Sequence, residues 1–302
     1  MRSPELTTAP QFTRGRLHVH SSPQEVARVT RALRAVGTKI AFVPTMGALH
    51  AGHRELIRRA RNIPNTVLVT SIFVNPLQFG PNEDLSRYPR PIEKDLEVCS
   101  DERVEIVFTP GVEDMYPPGS QVQVHPGPLG DQLEGAVRPG HFAGVLTVVN
   151  KLFNIVRPDY AMFGEKDYQQ LTLVKQMVKD LDMETRVLGV PTVRESDGLA
   201  LSSRNVYLTE PQRQSAVALS AALTAGAHAG RGGAEAVQKA AQEVLAAHPD
   251  LDVDYVEVRS PDLAAPPERG EGRLLVAAKV GTTRLIDNTA LWLGEPPEPE
   301  QH

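Results

Sequence analysis

Cysteine is almost absent: Cys99 is the one thiol in 302 residues. That excludes a disulfide framework and a cysteine-based zinc site. Cys99 itself reads as a small residue on a helix face. No run of about 18 apolar residues occurs, so no membrane span is expected. The opening stretch MRSPELTTAPQFTRGRLHVHSS has no apolar centre. No secretory signal is therefore expected, and a reducing cytoplasm is the expected compartment. Basic charge is not in excess, with 32 Lys+Arg against 37 Asp+Glu and a net charge of -5. The chain thus carries no electrostatic footprint for nucleic acid, and any basic site must be local. No repeat of about 20–50 residues is visible. Neither G-x-G-x-x-G nor G-x-x-x-x-G-K-[ST] is present at the candidate ligand turn, so dinucleotide binding and a P-loop lose support. No convincing Ser/His/Asp or Cys/His set for covalent catalysis stands out.

What remains is an ordinary globular composition, 41% hydrophobic and 23% charged, long enough for one large domain or two medium ones. The first twenty residues look irregular. Ser22-Pro23 opens a helical pattern with Val26, Val29, Leu33 and Val36 on one face, closed by Gly37. KIAFVP (Lys39–Pro44) is a buried strand, followed by a turn and the helix RELIRRARN. TVLVTSIFV (Thr66–Val74) is a second strand, Asn75–Arg90 a loop, Ile92–Cys99 a helix and VEIVFT (Val104–Thr109) a third strand. His141–Val156 is an apolar helix, Tyr160–Phe163 a strand, Lys166–Leu181 a helix and Thr185–Val190 a strand. Apolar strands alternating with helices predict a parallel sheet covered on both faces. The pattern then changes. A capping box at Thr209/Gln212 starts a helix to about Ala225, and an Ala-rich helix ends near His248. Three strands follow, Val253–Val258, Leu274–Ala278 and Thr283–Asn288. The end, GEPPEPEQH, reads as disordered. The expected fold is an α/β, Rossmann-like, doubly wound parallel sheet over residues 1–190. A smaller α/β domain over residues 191–302 is expected to act as a lid.

Three stretches can carry chemistry. In an open α/β sheet, ligands bind beyond the carboxyl ends of the strands. Pro44-Thr45-Met46-Gly47-Ala48-Leu49-His50-Ala51-Gly52-His53 occupies such an end. It contains H-x-G-H running into a helix, where free N–H groups favour an anion and Gly52 allows close backbone approach. His50 and His53, three apart, can both donate to phosphate oxygens as charge builds up. An isolated pair at this spacing more often reads as surface or metal-binding histidines. The Gly47/Gly52 frame after a buried strand favours the phosphate reading. Gly164-Glu165-Lys166-Asp167 repeats the strand-turn-helix logic, with Lys166 as a point charge for phosphate or a solvated helix-start lysine. Leu201-Ser202-Ser203-Arg204-Asn205 offers two hydroxyls and a guanidinium to a polyphosphate, or is a polar loop.

Taken together, PTMGALHAGH, SIFVNPLQFG with the following YPR, RPGHFAGVLTVVNKL, FGEKDYQQL and VPTVRESDGLALSSRNVYL resemble the pantothenate synthetase family over about residues 35–208. H-x-G-H alone would indicate only the wider superfamily of nucleotidyltransferases and class I aminoacyl-tRNA synthetases. The resemblance implies ATP-dependent joining of pantoate to β-alanine through pantoyl adenylate, with release of pyrophosphate and AMP. It implies that Met46, Gly47, Ala48, Leu49, His50, Ala51, Gly52 and His53 line the ATP site, with His50 and His53 stabilising the pentavalent phosphorus and His53 labelled as proton donor.

It further implies that Gly164, Glu165, Lys166 and Asp167 contact the nucleotide, with Lys166 on phosphate, and that Val193 touches adenine or ribose. Leu201, Ser202, Ser203 and Arg204 match a flexible phosphate-binding stretch, with Leu201 where Met is expected. Such a swap costs little if the contact is apolar packing. Gln78 and Gln170 match pantoate ligands, Gln78 also lying near β-alanine. For Mg2+, Asp95 matches the family position best, Lys94 stands beside it, and Asp84 and Asp167 stay open. Arg138, His141 and Lys151 stand between surface and substrate roles. The resemblance also implies a homodimer. Closure of Ser202–Asn205 and the C-terminal domain over ATP is expected.

Overall fold

The computed structural model describes residues 12–81 and 83–295. The chain runs β1 His18–His20, α1 Pro23–Ala35, β2 Lys39–Thr45, α2 Ala51–Arg61, β3 Thr66–Ile72, α3 Ile92–Asp101, β4 Ile106–Phe108, α4 Val112–Met115, α5 Glu134–Val137, α6 His141–Val156, β5 Tyr160–Gly164, α7 Tyr168–Asp180 and β6 Arg186–Val190. It continues with α8 Glu210–Ala216, α9 Ala218–His228, α10 Gly233–Ala246, β7 Leu251–Arg259, β8 Gly270–Val280 and β9 Thr283–Leu293. The first six strands form one parallel sheet in the order β1-β4-β3-β2-β5-β6. The last three form a separate antiparallel sheet, β7-β8-β9.

Successive strand residues point to opposite faces, so a fully buried strand must feed two cores. Along β2, Ile40 and Phe42 join a core with α1, α6 and α7, whereas Ala41 and Val43 join one with Leu56, Ile57 and Ala60 of α2. Cys99 lies buried in that second core. A further core opens at Leu199, where α9 and α10 pack Leu219, Leu223, Val237 and Ala241 against Leu274 and Val276 of β8. Among the described residues no helix is long and apolar enough to cross a membrane.

The order in which strands are added reverses at the β2/β5 boundary: β3 and β4 lie to one side of β2, and β6 lies beyond β5. Such a switch point leaves a crevice at the carboxyl ends of the two strands. The turn after β2 and the turn after β5 therefore face one another.

Some expectations need correction. The segment before residue 20 is not all irregular, because His18–His20 pairs with β4 as a three-residue edge strand. So short an element shows no periodicity. The helix expected from Thr209 is interrupted at Val217, giving α8 and α9, although the Thr209/Gln212 capping box is present. The helix expected from Lys166 begins at Tyr168, after a 3-10 turn over Glu165–Asp167. The C-terminal strands extend well past their apolar centres. Most of the expected disordered ending, from residue 296 onwards, lies outside the described residues.

One close approach serves the crevice directly. Helix α6 lies against the 3-10 turn Pro76–Gln78 at Gly144, where a Cβ would come 2.2 Å from the Leu77 carbonyl oxygen and 2.7 Å from the Gln78 nitrogen. Asn75 Nδ2 donates to the Gly144 carbonyl (3.1 Å) and ties the two segments. Gly144→Ala must push the turn and Gln78 away. It is expected to cost about 1–3 kcal/mol or more, lowering Tm by at least ~2–4 °C. Calorimetry checks this, and an unchanged Tm would contradict the packing described.

Candidate functional site

The turn after β2 is built from its backbone outward. Thr45 Oγ1 donates to the Ser71 carbonyl (2.7 Å) and accepts the Gly47 N–H (3.2 Å). Gly47 and Ala48 both take left-handed backbone conformations, with φ of 86° and 52°. For Ala48 this is a strained choice. It is held by Asp95 on α3, whose two carboxylate oxygens accept the N–H groups of Ala48 (2.9 Å) and Leu49 (2.7 Å). A Cβ on Gly47 would come 2.8 Å from Asp95 Oδ2, so glycine is required there.

The two histidines cap α2 themselves. His50 is the N-cap residue, and its Nδ1 accepts the Gly52 N–H (3.1 Å). His53 Nδ1 in turn accepts the His50 N–H (3.3 Å). The His50 ring folds back over Gly52, where a Cβ would meet His50 Cε1 at 2.9 Å. A backbone N–H can only donate, so both Nδ1 atoms are unprotonated. In the neutral form each ring then carries its proton on Nε2. The ring centroids are 4.1 Å apart. Burial pushes the His53 pKa down to about 3, with His50 adding to the shift. His50 is lowered too, by burial and then by the Lys166 charge. Both rings are neutral hydrogen-bond donors at neutral pH.

The cleft between the two turns is lined by Met46, His50, Gly52, His53, Gln78, Gly164, Lys166, Asp167 and Gln170. Val193, Leu201, Ser202, Ser203 and Arg204 close its other side. Gln78 is oriented from both ends: its Nε2 donates to Met46 Sδ (3.1 Å) and its Oε1 accepts from Asn75 (3.0 Å). Ser202 Oγ accepts the Arg204 N–H (3.2 Å) at the start of a 3-10 turn. Lys166 Nζ stands 3.6 Å from Asp167 Oδ1. The enclosing walls oppose charge on Asp167, but Lys166, then Arg204, His141 and Arg138, outweigh them and hold its carboxyl below the usual range.

Not every residue expected at the site reaches it. Gly47, Ala48, Leu49 and Ala51 form the back of the turn and do not line the cleft. Glu165 turns away towards Arg273 (3.1 Å). Asp95, expected to hold Mg2+, is 1% exposed, lies behind the turn and spends both oxygens on backbone N–H groups. Its position matches a support for the turn, not a ligand facing the cleft. Lys151 sits over the Tyr116 ring, away from the lining.

Arg138 and His141 do line the cleft. His141 donates from Nδ1 to the Gln78 carbonyl (2.8 Å), and its Nε2 accepts from Arg138 (3.0 Å). Burial and then the Arg138 charge lower the His141 pKa to about 4. Arg138 is held bidentately by Glu83 (2.8 and 2.6 Å), and Arg204 contacts Asp84 (3.3 Å). Tyr88 and Asn75 also line the cleft, and the sequence does not single them out. Asn75 sits inside SIFVNPLQFG and carried a usable signal, a side chain able to cap the Pro76 turn.

Among the described residues Asp167 is the one acidic side chain of the cleft lining, and its side chain is half open. Among the described residues no three His, Cys, Asp or Glu side chains converge to hold a metal. This donor set suits a magnesium ion carried largely by phosphate oxygens and water, not a dedicated protein cage.

The chain matches the Pantoate-beta-alanine ligase family over residues 18–290. It is 63% identical to the pantothenate synthetase of Saccharopolyspora erythraea, covering 98% of each chain. It is also 63% identical to that of Mycolicibacterium smegmatis, covering 96% of this chain and 92% of the other. The crystal structure of pantothenate synthetase from Thermus thermophilus superposes with a TM-score of 0.82 at 47% identity, over 90% of this chain and 98% of that one. The pantoate-beta-alanine ligase of Francisella tularensis, complexed with beta-gamma ATP and β-alanine, superposes with a TM-score of 0.75 at 35% identity, over 90% and 97%. The chain belongs to the pantoate–β-alanine ligase family.

Proposed function

We propose that the chain, a ligase of pantoate and β-alanine, uses this cleft to activate pantoate as an acyl adenylate before the amine attacks. The carrying observation is the pair of neutral imidazoles at the start of α2, facing Lys166 across the switch point of the sheet. A carboxylate is a weak nucleophile towards a polyanion. The site must therefore hold the two in line and offset charge that develops at phosphorus. Two Nε2–H donors and an ammonium meet that need without any proton changing hands on the protein.

In this reading the triphosphate lies along His50, His53, Lys166 and Ser202–Arg204. Val193 packs against the nucleoside. Gln78 and Gln170 offer amide donors and acceptors to pantoate, whose hydroxyls and carboxylate need both. The pantoate carboxylate oxygen attacks the α-phosphorus, the bond to pyrophosphate breaks, and the acyl adenylate remains. The β-alanine nitrogen, as the free amine, then attacks the acyl carbon and loses a proton to water, while the bond from the acyl carbon to the phosphate oxygen breaks and AMP leaves. Mg2+ would be held by Asp167 together with phosphate oxygens, supplying further charge neutralisation on the triphosphate. Ser202–Asn205 and residues 191–302 act as the lid that keeps water from the adenylate. The reading places the protein in the cytoplasm as a homodimer.

Pantoate-dependent exchange of labelled pyrophosphate into ATP, measured without β-alanine, tests the adenylate directly. Exchange is expected; turnover that strictly requires the amine before pyrophosphate leaves would overturn the adenylate. His53→Ala is expected to fold and to lose exchange by about 100-fold or more, the scale of one lost transition-state donor. Full exchange in that variant would remove His53 from the chemistry.

The lowered His53 pKa also has a stability consequence. In the unfolded chain His53 takes a proton below about pH 6.5, whereas in the folded protein it stays neutral down to about 3. Its presence therefore costs nothing above 6.5 and costs progressively more as pH falls from 6.5 towards 3. His53→Gln removes that cost. Between pH 7 and pH 5 the unfolding free energy of the variant should gain about 2 kcal/mol relative to the wild type. Urea unfolding at the two pH values reads this difference, and a constant gap would contradict a neutral ring held in the fold.

A further inference from the structure

Two adjacent residues far along the chain touch both nucleotide-facing walls of the cleft. Asp287 and Asn288 sit on β9, opposite Val276 and Leu275 of β8, and each is 4% exposed. Asn288 Nδ2 donates to the carbonyl oxygens of Glu165 and Lys166, both at 2.9 Å. Its Oδ1 accepts from Arg273 Nε at 2.7 Å. The amide therefore uses both donor hydrogens on the turn that carries Lys166, and its acceptor on a third group. Arg273 also donates to the Glu165 carboxylate (3.1 Å) and lies over the Tyr168 ring, 3.9 Å from its centroid. The turn is thus gripped at its backbone, at its first side chain and at the residue that follows it.

Asp287 holds the opposite wall. Its Oδ1 accepts the Asn288 N–H (2.8 Å) and Arg194 Nη2 (3.0 Å), and its Oδ2 accepts Arg194 Nη1 (2.6 Å). Arg194 follows Val193 and also donates to the Gly198 carbonyl (3.1 Å). The Leu201 N–H donates to the Val193 carbonyl (2.9 Å), so the base of the Ser202–Arg204 stretch hangs on the same segment. Adhesion between the two halves of the chain has other sources. Arg284 bonds Glu134, Tyr255 donates to Glu134, and Tyr168 donates to the Pro261 carbonyl. The bonds of Asn288 are directed instead to the two carbonyls that set where Lys166 starts.

We propose that Asp287 and Asn288 are positioning residues of the phosphate site, holding the Glu165–Asp167 turn and the Val193–Leu201 segment at one fixed separation. That separation sets how Lys166 on one side, and Ser202–Arg204 on the other, reach a nucleoside triphosphate. The inference rests on the reading of the cleft given above.

The test is ATP affinity by titration calorimetry, with Mg2+ and without pantoate, on the wild type, Asn288→Asp, Asp287→Asn and Lys166→Ala, each with its Tm. Asn288→Asp keeps the size and the Arg273 partner but can no longer donate to the two carbonyls. It should raise the Kd for ATP about tenfold or more, as two part-buried acceptors lose their donor. In the Lys166→Ala background the same change should add less than about twofold, because its effect passes through the lysine. A purely structural role would lower Tm and leave the Kd of the folded protein unchanged. A folded Asn288→Asp with wild-type affinity therefore overturns the proposal. Should Asn288→Asp fail to fold, Asp287→Asn decides by the same criterion. If Lys166→Ala itself binds ATP as the wild type does, the reading of Lys166 fails instead. Weakened Lys166→Ala beside unaffected β9 variants sinks the positioning role alone.

Discussion

At the start of α2 the Nδ1 atoms of His50 and His53 accept backbone N–H groups that a serine or aspartate would ordinarily take. Much of the site follows from that arrangement. With Nδ1 committed to the backbone, each neutral ring presents its proton on Nε2. Burial keeps both rings neutral, so they act as oriented dipoles and not as mobile charges. Donors fixed before substrate arrives need no reorganisation when charge develops, which is the larger part of what such sites contribute. The arrangement demands glycine at 52, where the His50 ring folds back, and at 47, where Asp95 comes close.

Asp95, which the resemblance implies as the Mg2+ ligand, is seen bonded to the back of the turn. A carboxylate in a region of the right motif is compatible with a metal. Its neighbours along the chain do not reveal that both oxygens point at the Ala48 and Leu49 amides. The left-handed conformation of Ala48 strains the turn, and two backbone N–H groups donating to the buried Asp95 carboxylate oppose that strain. The crevice itself is set by topology. Strand order places the β2 and β5 turns side by side, and the side chains of each turn then share one space without further adjustment.

The alternation of apolar strands and helices made the parallel sheet legible before any coordinates, since each strand from Lys39 to Val190 is apolar on both faces or bounded by clear turn residues. The site turns were legible for a related reason: strand ends are where ligands bind, and HxGH, GEKD and SSR stand at or near such ends. Less legible features share a cause. His18–His20 is too short and too polar to show a period. Val217, where the C-terminal helix breaks, has nothing in its side chain to mark the break. Arg138 and His141 read equally well as surface residues until α6 is seen to pack beside Gln78. Asp287 and Asn288 look like an ordinary polar interruption in a strand, because the two carbonyls to which Asn288 donates lie more than a hundred residues earlier in the chain.

Everything in this mechanism turns on both imidazoles being neutral and protonated on Nε2 in the free protein. Long-range proton–nitrogen correlation spectroscopy on ring-labelled protein reports the protonation state of each ring nitrogen. At pH 7 the account predicts that His50 and His53 each show an unprotonated Nδ1 and a protonated Nε2. An imidazolium, or a proton on Nδ1 in either ring, would contradict it.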